Sequence, residues 1–385
     1  MSAAGTGLRV AIVGGGMIGA FHCRAARLAG AQVVGVFGRD PGATRALAAK
    51  WSVDQAYETL DQALAAGLDV VHVCTPNASH AGYARAALEA GSNVVCEKPL
   101  GVAPAEAAGL AELARQAGLV ATVPYVYRYH PLVREIRARR LAGQFGPWHL
   151  LHGSYLQDWL LSPAVSNWRV DPALGGASRA FADIGSHWCD LVEWVSGERI
   201  ASLVADVAIA LPERAGGGGQ TFTAEATAAG TGAASPVPDA VPVTTEDAAT
   251  MLFRTAGGVP GALTVSQVSA GRKNRLWFEL DGADGSAVFD QENPETVWLG
   301  GLAECRLLVR EPGVGAAETR RLTTTPGGHV QGWGACLEAF VADTYAAVRG
   351  SAPEGLPTFD DGARSVALVQ AVLDSAQARA WVTVP

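Results

Sequence analysis

The chain has 385 residues, enough for two domains of the usual ~100–200 residues, each with a core that needs no disulfide or metal staple. Hydrophobic residues make up 49% and charged residues 17%, with a net charge of -8, which excludes intrinsic disorder and disfavours a nucleic-acid surface. No stretch reaches the ~18 consecutive apolar residues of a membrane span, the opening MSAAGTGLRV lacks the regions of a signal peptide, and six scattered cysteines show no paired spacing; a cytoplasmic protein with reduced thiols is expected, without a membrane partner.

The first 120 residues alternate between two textures. Short β-branched runs at 8–13, 33–37, 70–74, 94–96 and 119–123 are bounded by Gly, Asp, Asn or Pro, as buried parallel strands are. Between them, Ala-rich segments at 20–28, 79–90 and 104–117 repeat apolar residues at helical spacing. Thr59 is placed to cap a short helix, and Gly91 and Gly118 to end two others. Strand and helix in alternation predict a doubly wound parallel sheet over residues 1–124.

After residue 145 the pattern changes. A strand at 150–156 and a helix at 186–195 precede strands at 202–211, 249–255, 262–268, 275–280, 287–290 and 306–309. Gly257-Gly258, Asp281-Gly282 and Asp284-Gly285 mark tight turns, so successive strands there must run antiparallel. Residues 125–385 thus read as an α+β domain with a large open, mainly antiparallel sheet, closed by helices at 333–348 and 362–380. Residues 215–243, rich in Gly, Ala, Thr and Pro, read as a flexible surface excursion.

Gly14-Gly15-Gly16-Met17-Ile18-Gly19 follows the first strand and opens the first helix. In that setting Gly14 makes the tight turn, Gly16 admits a pyrophosphate and Gly19 lets helix and sheet approach, so the turn is expected to hold a dinucleotide along Gly14, Gly16, Met17 and Ile18. At the end of the second strand, Gly38 stands where an acid would bond ribose hydroxyls, and Arg39 follows with a fixed positive charge; NADP is favoured over NAD. Arg39 also reads as a solvated turn residue, with Asp40 capping the next helix. Glu97-Lys98-Pro99 closes the fifth strand at the sheet edge where open α/β folds bind ligands. An ammonium there can stabilise an alkoxide, although by itself Lys98 is equally a surface lysine. Asp183, His187 and Asp190 are spaced to share a helix face if the helix begins near Asp183, which makes His187 a candidate general base. A metal reading finds no third ligand of matching spacing, and none is assigned.

The ordered set of the glycine turn, Thr75-Pro76-Asn77 with His80, Glu97-Lys98-Pro99, Trp168-Arg169 and Asp183-x-Gly185-x-His187-x-x-Asp190 resembles the glucose-fructose oxidoreductase, inositol dehydrogenase and rhizopine catabolism family (Gfo/Idh/MocA). The resemblance runs motif by motif over about residues 8–200 and departs at Gly176-Ala177-Ser178, where many members carry a third glycine. It implies a Rossmann domain followed by a substrate-binding domain whose open sheet joins a homodimer or homotetramer. It also implies that Lys98, Asp183 and His187 line the catalytic site and that Thr75, Pro76, Asn77 and His80, with Glu97 alongside, lie near the nicotinamide side of NAD or NADP. Tyr127, Gln157, Trp159, Trp168 and Arg169 offer aromatic faces and polar groups suited to a carbohydrate ring, though either tryptophan is equally a core residue. Arg272-Lys273-Asn274 reads as a solvated turn that could also reach substrate. The activity expected is hydride transfer at a secondary hydroxyl or ketone of a sugar, glycoside or cyclic polyol. The alternatives are a glycosidase using transient oxidation and a non-catalytic dinucleotide sensor.

Overall fold

The computed structural model describes residues 7–216 and 239–385. They fall into two compact units, Met1–Val126 with Trp333–Arg364 and Tyr127–Gly332 with Ser365–Pro385. No helix among the described residues is long and apolar enough to cross a membrane.

In the first unit β1 (Arg9–Val13), β2 (Gln32–Phe37), β3 (Gln55–Tyr57), β4 (Val70–Val73), β5 (Asn93–Cys96) and β6 (Ala121–Thr122) run parallel in the order β3-β2-β1-β4-β5-β6. Their β-branched residues are buried on both faces, which is why these runs carry no polar alternation. The helices α1 (Met17–Leu28), α2 (Pro41–Trp51), α3 (Leu60–Leu64), α4 (His80–Glu89) and α5 (Pro104–Ala117) connect them. Asp40 caps α2 by accepting from Ala43 N at 2.6 Å, Thr59 caps α3 through Gln62 N, and Gly118 ends α5 in the left-handed region. Chain order reverses between β1 and β4, so the ligand crevice of this sheet lies at their carboxyl ends.

Residues 333–364, grouped above with the second half of the chain, pack in the first unit. The helix Trp333–Val348 lies on α1, with Trp333 edge-on to Phe21 at 5.1 Å and Glu338 paired to Arg24 at 3.1 Å. The reason is a mainly apolar helix meeting the outer face of α1, a long-range match that sequence spacing does not reveal.

The second unit begins with α6 (Pro131–Leu141), β7 (Trp148–Leu156), α7 (Pro172–Gly175), α8 (Ser186–Ser196) and β8 (Ile200–Ala208). Next come β9 (Glu213–Ala215) and β10 (Ala240–Pro242), which pair antiparallel as a short ribbon. The flanks of the 215–243 excursion are therefore strand, and its middle, 217–238, lies outside the described residues. Then follow β11 (Ala248–Thr255), β12 (Pro260–Ser266), β13 (Arg275–Gly282), β14 (Ser286–Asp290), β15 (Thr296–Gly300), β16 (Cys305–Val309) and β17 (Val382–Thr383).

Among the described residues nine of these strands form one sheet, ordered β16-β15-β14-β13-β7-β12-β11-β8-β17. All neighbouring pairs are antiparallel except β7 with β12. On β13, Leu276, Phe278 and Leu280 are fully buried, while Arg275, Trp277, Glu279 and Asp281 lie half-buried on the opposite face. The helix α8 covers the buried face: Trp188 donates to Trp277 O at 2.9 Å, and a Cβ on Gly153 would stand 2.5 Å from the Trp188 indole nitrogen. Gly153 is what allows this helix to lie so close to the sheet.

Candidate active site

At the carboxyl end of β1, Gly14 has φ +107° and a Cβ there would meet Cys74 O at 2.5 Å; at Gly19 it would meet Gly14 O at 2.2 Å. Both positions require glycine. Gly16, the N-cap of α1, is exposed and faces open space, with no atom within 4 Å of a Cβ built on it. Backbone N–H groups at an open helix start with no side chain in front suit a pyrophosphate, so these residues fit a dinucleotide. Met17 is exposed and Ile18 half-buried at the same turn. Gly38 and exposed Arg39 end β2, and the Asp40 carboxylate is engaged in its cap.

Thr75-Pro76-Asn77 follows β4, and Ser79 ties it by donating to Pro76 O at 2.7 Å. His80 opens α4, with Nδ1 2.7 Å from Pro99 O and Nε2 2.7 Å from Thr75 O. Glu97 ends β5 almost fully buried: Oε1 lies 3.1 Å from His22 Nε2, and Oε2 accepts from Lys98 N at 3.1 Å. Behind it, His22 Nδ1 meets His72 Nδ1 at 2.9 Å and His72 Nε2 meets the Tyr345 hydroxyl at 2.8 Å. Burial works against the Glu97 carboxylate, but the hydrogen bond and charge of His22, with Lys98 and His80, outweigh it and hold its pKa below the usual carboxylate value. Burial, aided by His22, pushes His72 well down, so its ring is neutral. His22, His72 and Tyr345 were not anticipated; they come from three separate elements, and no local spacing marks them.

In the second unit Asp183 lies on a π-turn, Phe181–Gly185, just ahead of α8, rather than on the α-helix itself. A Cβ on Gly185 would meet the Phe181 ring at 2.7 Å, so the glycine permits this turn. Asp183 Oδ2 accepts from Gln267 Nε2 at 2.8 Å and Oδ1 from Arg169 Nε at 3.3 Å. The Arg169 guanidinium lies over the Trp168 ring, 4.4 Å from its centroid, and farther from the Trp159 ring, at 5.9 Å. Arg128 holds Asp190 in a buried bidentate pair.

Beside His187 runs a connected polar wall. Tyr127 sets its ring edge-on to His187 at 5.4 Å, and its hydroxyl lies 2.7 Å from that of Tyr155. Asn274 accepts from Tyr155 at 2.7 Å and from Gln157 Nε2 at 2.9 Å, and donates to the Tyr127 hydroxyl at 3.1 Å. Trp159 then donates to Gln157 Oε1 at 2.8 Å. Burial first, and then Tyr127, push the Tyr155 pKa well up, so it remains a neutral phenol. Sequence reasoning missed Tyr155 and Gln267. In 272–274, Arg272 and Lys273 are turn residues paired to Glu292 and Asp158, while Asn274 turns inward and links three side chains, those of Tyr127, Tyr155 and Gln157.

The segment entering the π-turn is pinned by Glu246, whose Oε1 accepts from Ser178 Oγ at 2.7 Å and from Arg179 N and Phe181 N at 2.9 Å each. Next to it, fully buried Asp247 is shared by Arg179 and Arg214. Ser178, at the departure from the family pattern, is thus one of the groups that fix the approach to Asp183.

The family described as the oxidoreductase family with an NAD-binding Rossmann fold matches residues 8–125, and the GFO/IDH/MocA C-terminal domain matches residues 133–288. The chain belongs to the Gfo/Idh/MocA family. A levoglucosan dehydrogenase of Pseudarthrobacter phenanthrenivorans is 28% identical over 83% of this chain and 80% of its own length. A solved levoglucosan dehydrogenase, in complex with NADH and levoglucosan, superposes with TM-score 0.86 at 25% identity, covering 98% of this chain and 100% of that one. An oxidoreductase domain protein from Kribbella flavida gives TM-score 0.87 at 31% identity over 99% of this chain and 100% of that one. This family member is an oxidoreductase with a dinucleotide-binding Rossmann unit.

Proposed function

We propose that the protein transfers a hydride between NAD(P) and a secondary hydroxyl or ketone of a sugar, glycoside or cyclic polyol. The observation that carries this reading is the wall from His187 through Tyr127, Tyr155, Asn274 and Gln157 to Trp159, in a chain that also carries the open glycine turn. Alternating hydroxyl and amide groups beside aromatic rings suit a ring with hydroxyl edges and C–H faces. Relatives named for levoglucosan and for inositol support the same substrate class.

In this reading the nicotinamide, when bound, supplies the hydride acceptor or donor. His187 takes the hydroxyl proton in the oxidative direction and Lys98 stabilises the developing alkoxide. Asp183, itself held by Gln267 and Arg169, bonds a neighbouring hydroxyl or orients the imidazole. Trp168 and Arg169 flank the ring. Gly14, Gly16, Met17 and Ile18 hold the pyrophosphate, while Thr75, Pro76, Asn77 and Glu97 shape the nicotinamide side. NADP is preferred: Arg39 is exposed at the end of β2, Gly38 presents no acid, and the Asp40 carboxylate is engaged with Ala43 N. The open face of the nine-stranded sheet, with Leu252 and Leu307 exposed, joins a homodimer or homotetramer. A panel of sugars and polyols, assayed with both cofactors for reduced-nicotinamide absorbance, tests the activity. Turnover of some member of the panel is expected, and inertness toward every sugar and polyol would overturn the reading.

A further inference from the structure

His80 is nearly fully buried, and each of its ring nitrogens faces a backbone carbonyl at 2.7 Å: Nδ1 meets Pro99 O and Nε2 meets Thr75 O. A carbonyl oxygen can only accept. A neutral imidazole has one N–H and one lone pair, so it satisfies one of these carbonyls and sets a lone pair against the other; only the imidazolium donates to both. The two carbonyls belong to different strand ends. Thr75 follows β4 and opens the Thr75-Pro76-Asn77 loop, while Pro99 closes the Glu97-Lys98-Pro99 turn after β5.

We propose that His80 is the positioning residue that ties the loop after β4 to the turn after β5, and that it makes both bonds only as an imidazolium, so that the shape of the dinucleotide site changes with one proton. The inference rests on the reading that this loop and turn border the nicotinamide side. Its own support is the hydrogen-bond count at His80. Three further groups bear on the charge. Glu97, at the end of β5, is held as a carboxylate by His22 and favours the cation. Lys98, next along the same turn, opposes it. Around Thr75 the nearby polar partner is the uncharged hydroxyl of Ser79, 2.8 Å from the Thr75 hydroxyl. Burial lowers the His80 pKa, while the two carbonyls and Glu97 raise it; the net position is below the ordinary histidine value. The tie is therefore complete only below the ordinary histidine range and loses one bond as pH rises through the lowered pKa of the ring.

Two measurements on the full chain test this. Histidine-selective 15N labelling reads the ring state of His80, assigned by difference from His80→Gln. Both nitrogens should show imidazolium shifts at the acid end of the pH range in which the protein is folded and resolve into one neutral tautomer as pH rises. Fluorescence titration with NADPH and with NADH then reads dinucleotide affinity without any sugar. In the wild type it should weaken by about 5-fold across the same pH interval, the equivalent of one net hydrogen bond. His80→Gln, whose amide serves one carbonyl and does not titrate, should lack that step. A step that persists in His80→Gln would overturn the proposal, as would a ring that stays neutral at every pH where the protein is folded. Should His80→Gln fail to fold, a change of the His80 resonance in step with NADPH affinity in the wild type carries the test, and titration of one without the other refutes it. Absence of dinucleotide binding at any pH would instead contradict the proposed function, and the ring-nitrogen measurement would still judge the tie.

Discussion

Replacing Glu246 tests how the segment that presents Asp183 is held. In Glu246→Ala, Arg179 N and Phe181 N each lose an acceptor at 2.9 Å, and both residues are buried. A buried amide left without a partner costs about 1–3 kcal/mol, so the two together predict a loss of about 2–6 kcal/mol. Ser178 adds little, since its hydroxyl can rotate once the 2.7 Å bond to Glu246 is gone. Glu246→Gln keeps an amide oxygen in the same place and gives up only the charge assistance, so it should cost about 1 kcal/mol. Denaturant unfolding of the two variants should separate them accordingly. Activity on the best sugar substrate should fall in the alanine variant while dinucleotide affinity, read by fluorescence, holds. Equal stability of the Ala and Gln variants would refute the claim that the carbonyl-type acceptor, rather than the side-chain volume, pins the turn.

Lys98→Ala should lower kcat by about 10²–10³, the usual effect of removing one donor to a developing oxyanion, with a small change in dinucleotide affinity; near-normal turnover would take Lys98 out of the mechanism. His187→Asn should abolish the neutral-range limb of the pH–rate profile, and an unchanged limb would assign the base elsewhere. Arg39→Asp should move the preference from NADP toward NAD, and a wild type strongly selective for NAD would contradict the Gly38-Arg39 reading outright. Burial works against the Asp247 carboxylate, but Arg179, Leu211 N and Arg214 hold its pKa below the ordinary 3.8. Because the folded value is the depressed one, its stabilisation is present above that range and is lost as pH falls through the folded pKa; Asp247→Asn should be less stable at neutral pH and lose less on acidification below about pH 4.

The first unit was legible because its signals are local. A glycine turn between strand and helix, β-branched runs buried on both faces, and caps at Asp40 and Thr59 all lie within a few residues of what they determine. The second unit was legible where strands alternate, as on β13, and not where they do not. On β15 Val297 alone is fully buried, so Thr296–Gly300 shows no period of two. Candidate site residues divide in the same way. Asp183 and His187 stand in a recognisable pattern, but Gln267 and Asn274 become visible only when β12 and β13 bring their ends to Asp183, Tyr127 and Tyr155. The His22–His72–Tyr345 chain behind Glu97 joins residues up to 273 positions apart. Asp190, which helical spacing sets on the face of His187, also pairs with a buried arginine from outside the helix, Arg128, which no local spacing marks.

The most direct test of hydride transfer is the stoichiometry between sugar consumed and nicotinamide reduced, measured with the purified chain, one active sugar or glycoside and excess oxidised cofactor. The account predicts one reduced nicotinamide for each oxidised sugar, with the reduced form accumulating until the reaction reaches equilibrium. Release of aglycone over many turnovers at substoichiometric cofactor, with no net change in nicotinamide absorbance, would contradict it and assign the same residues to a glycosidase that returns its hydride within each cycle.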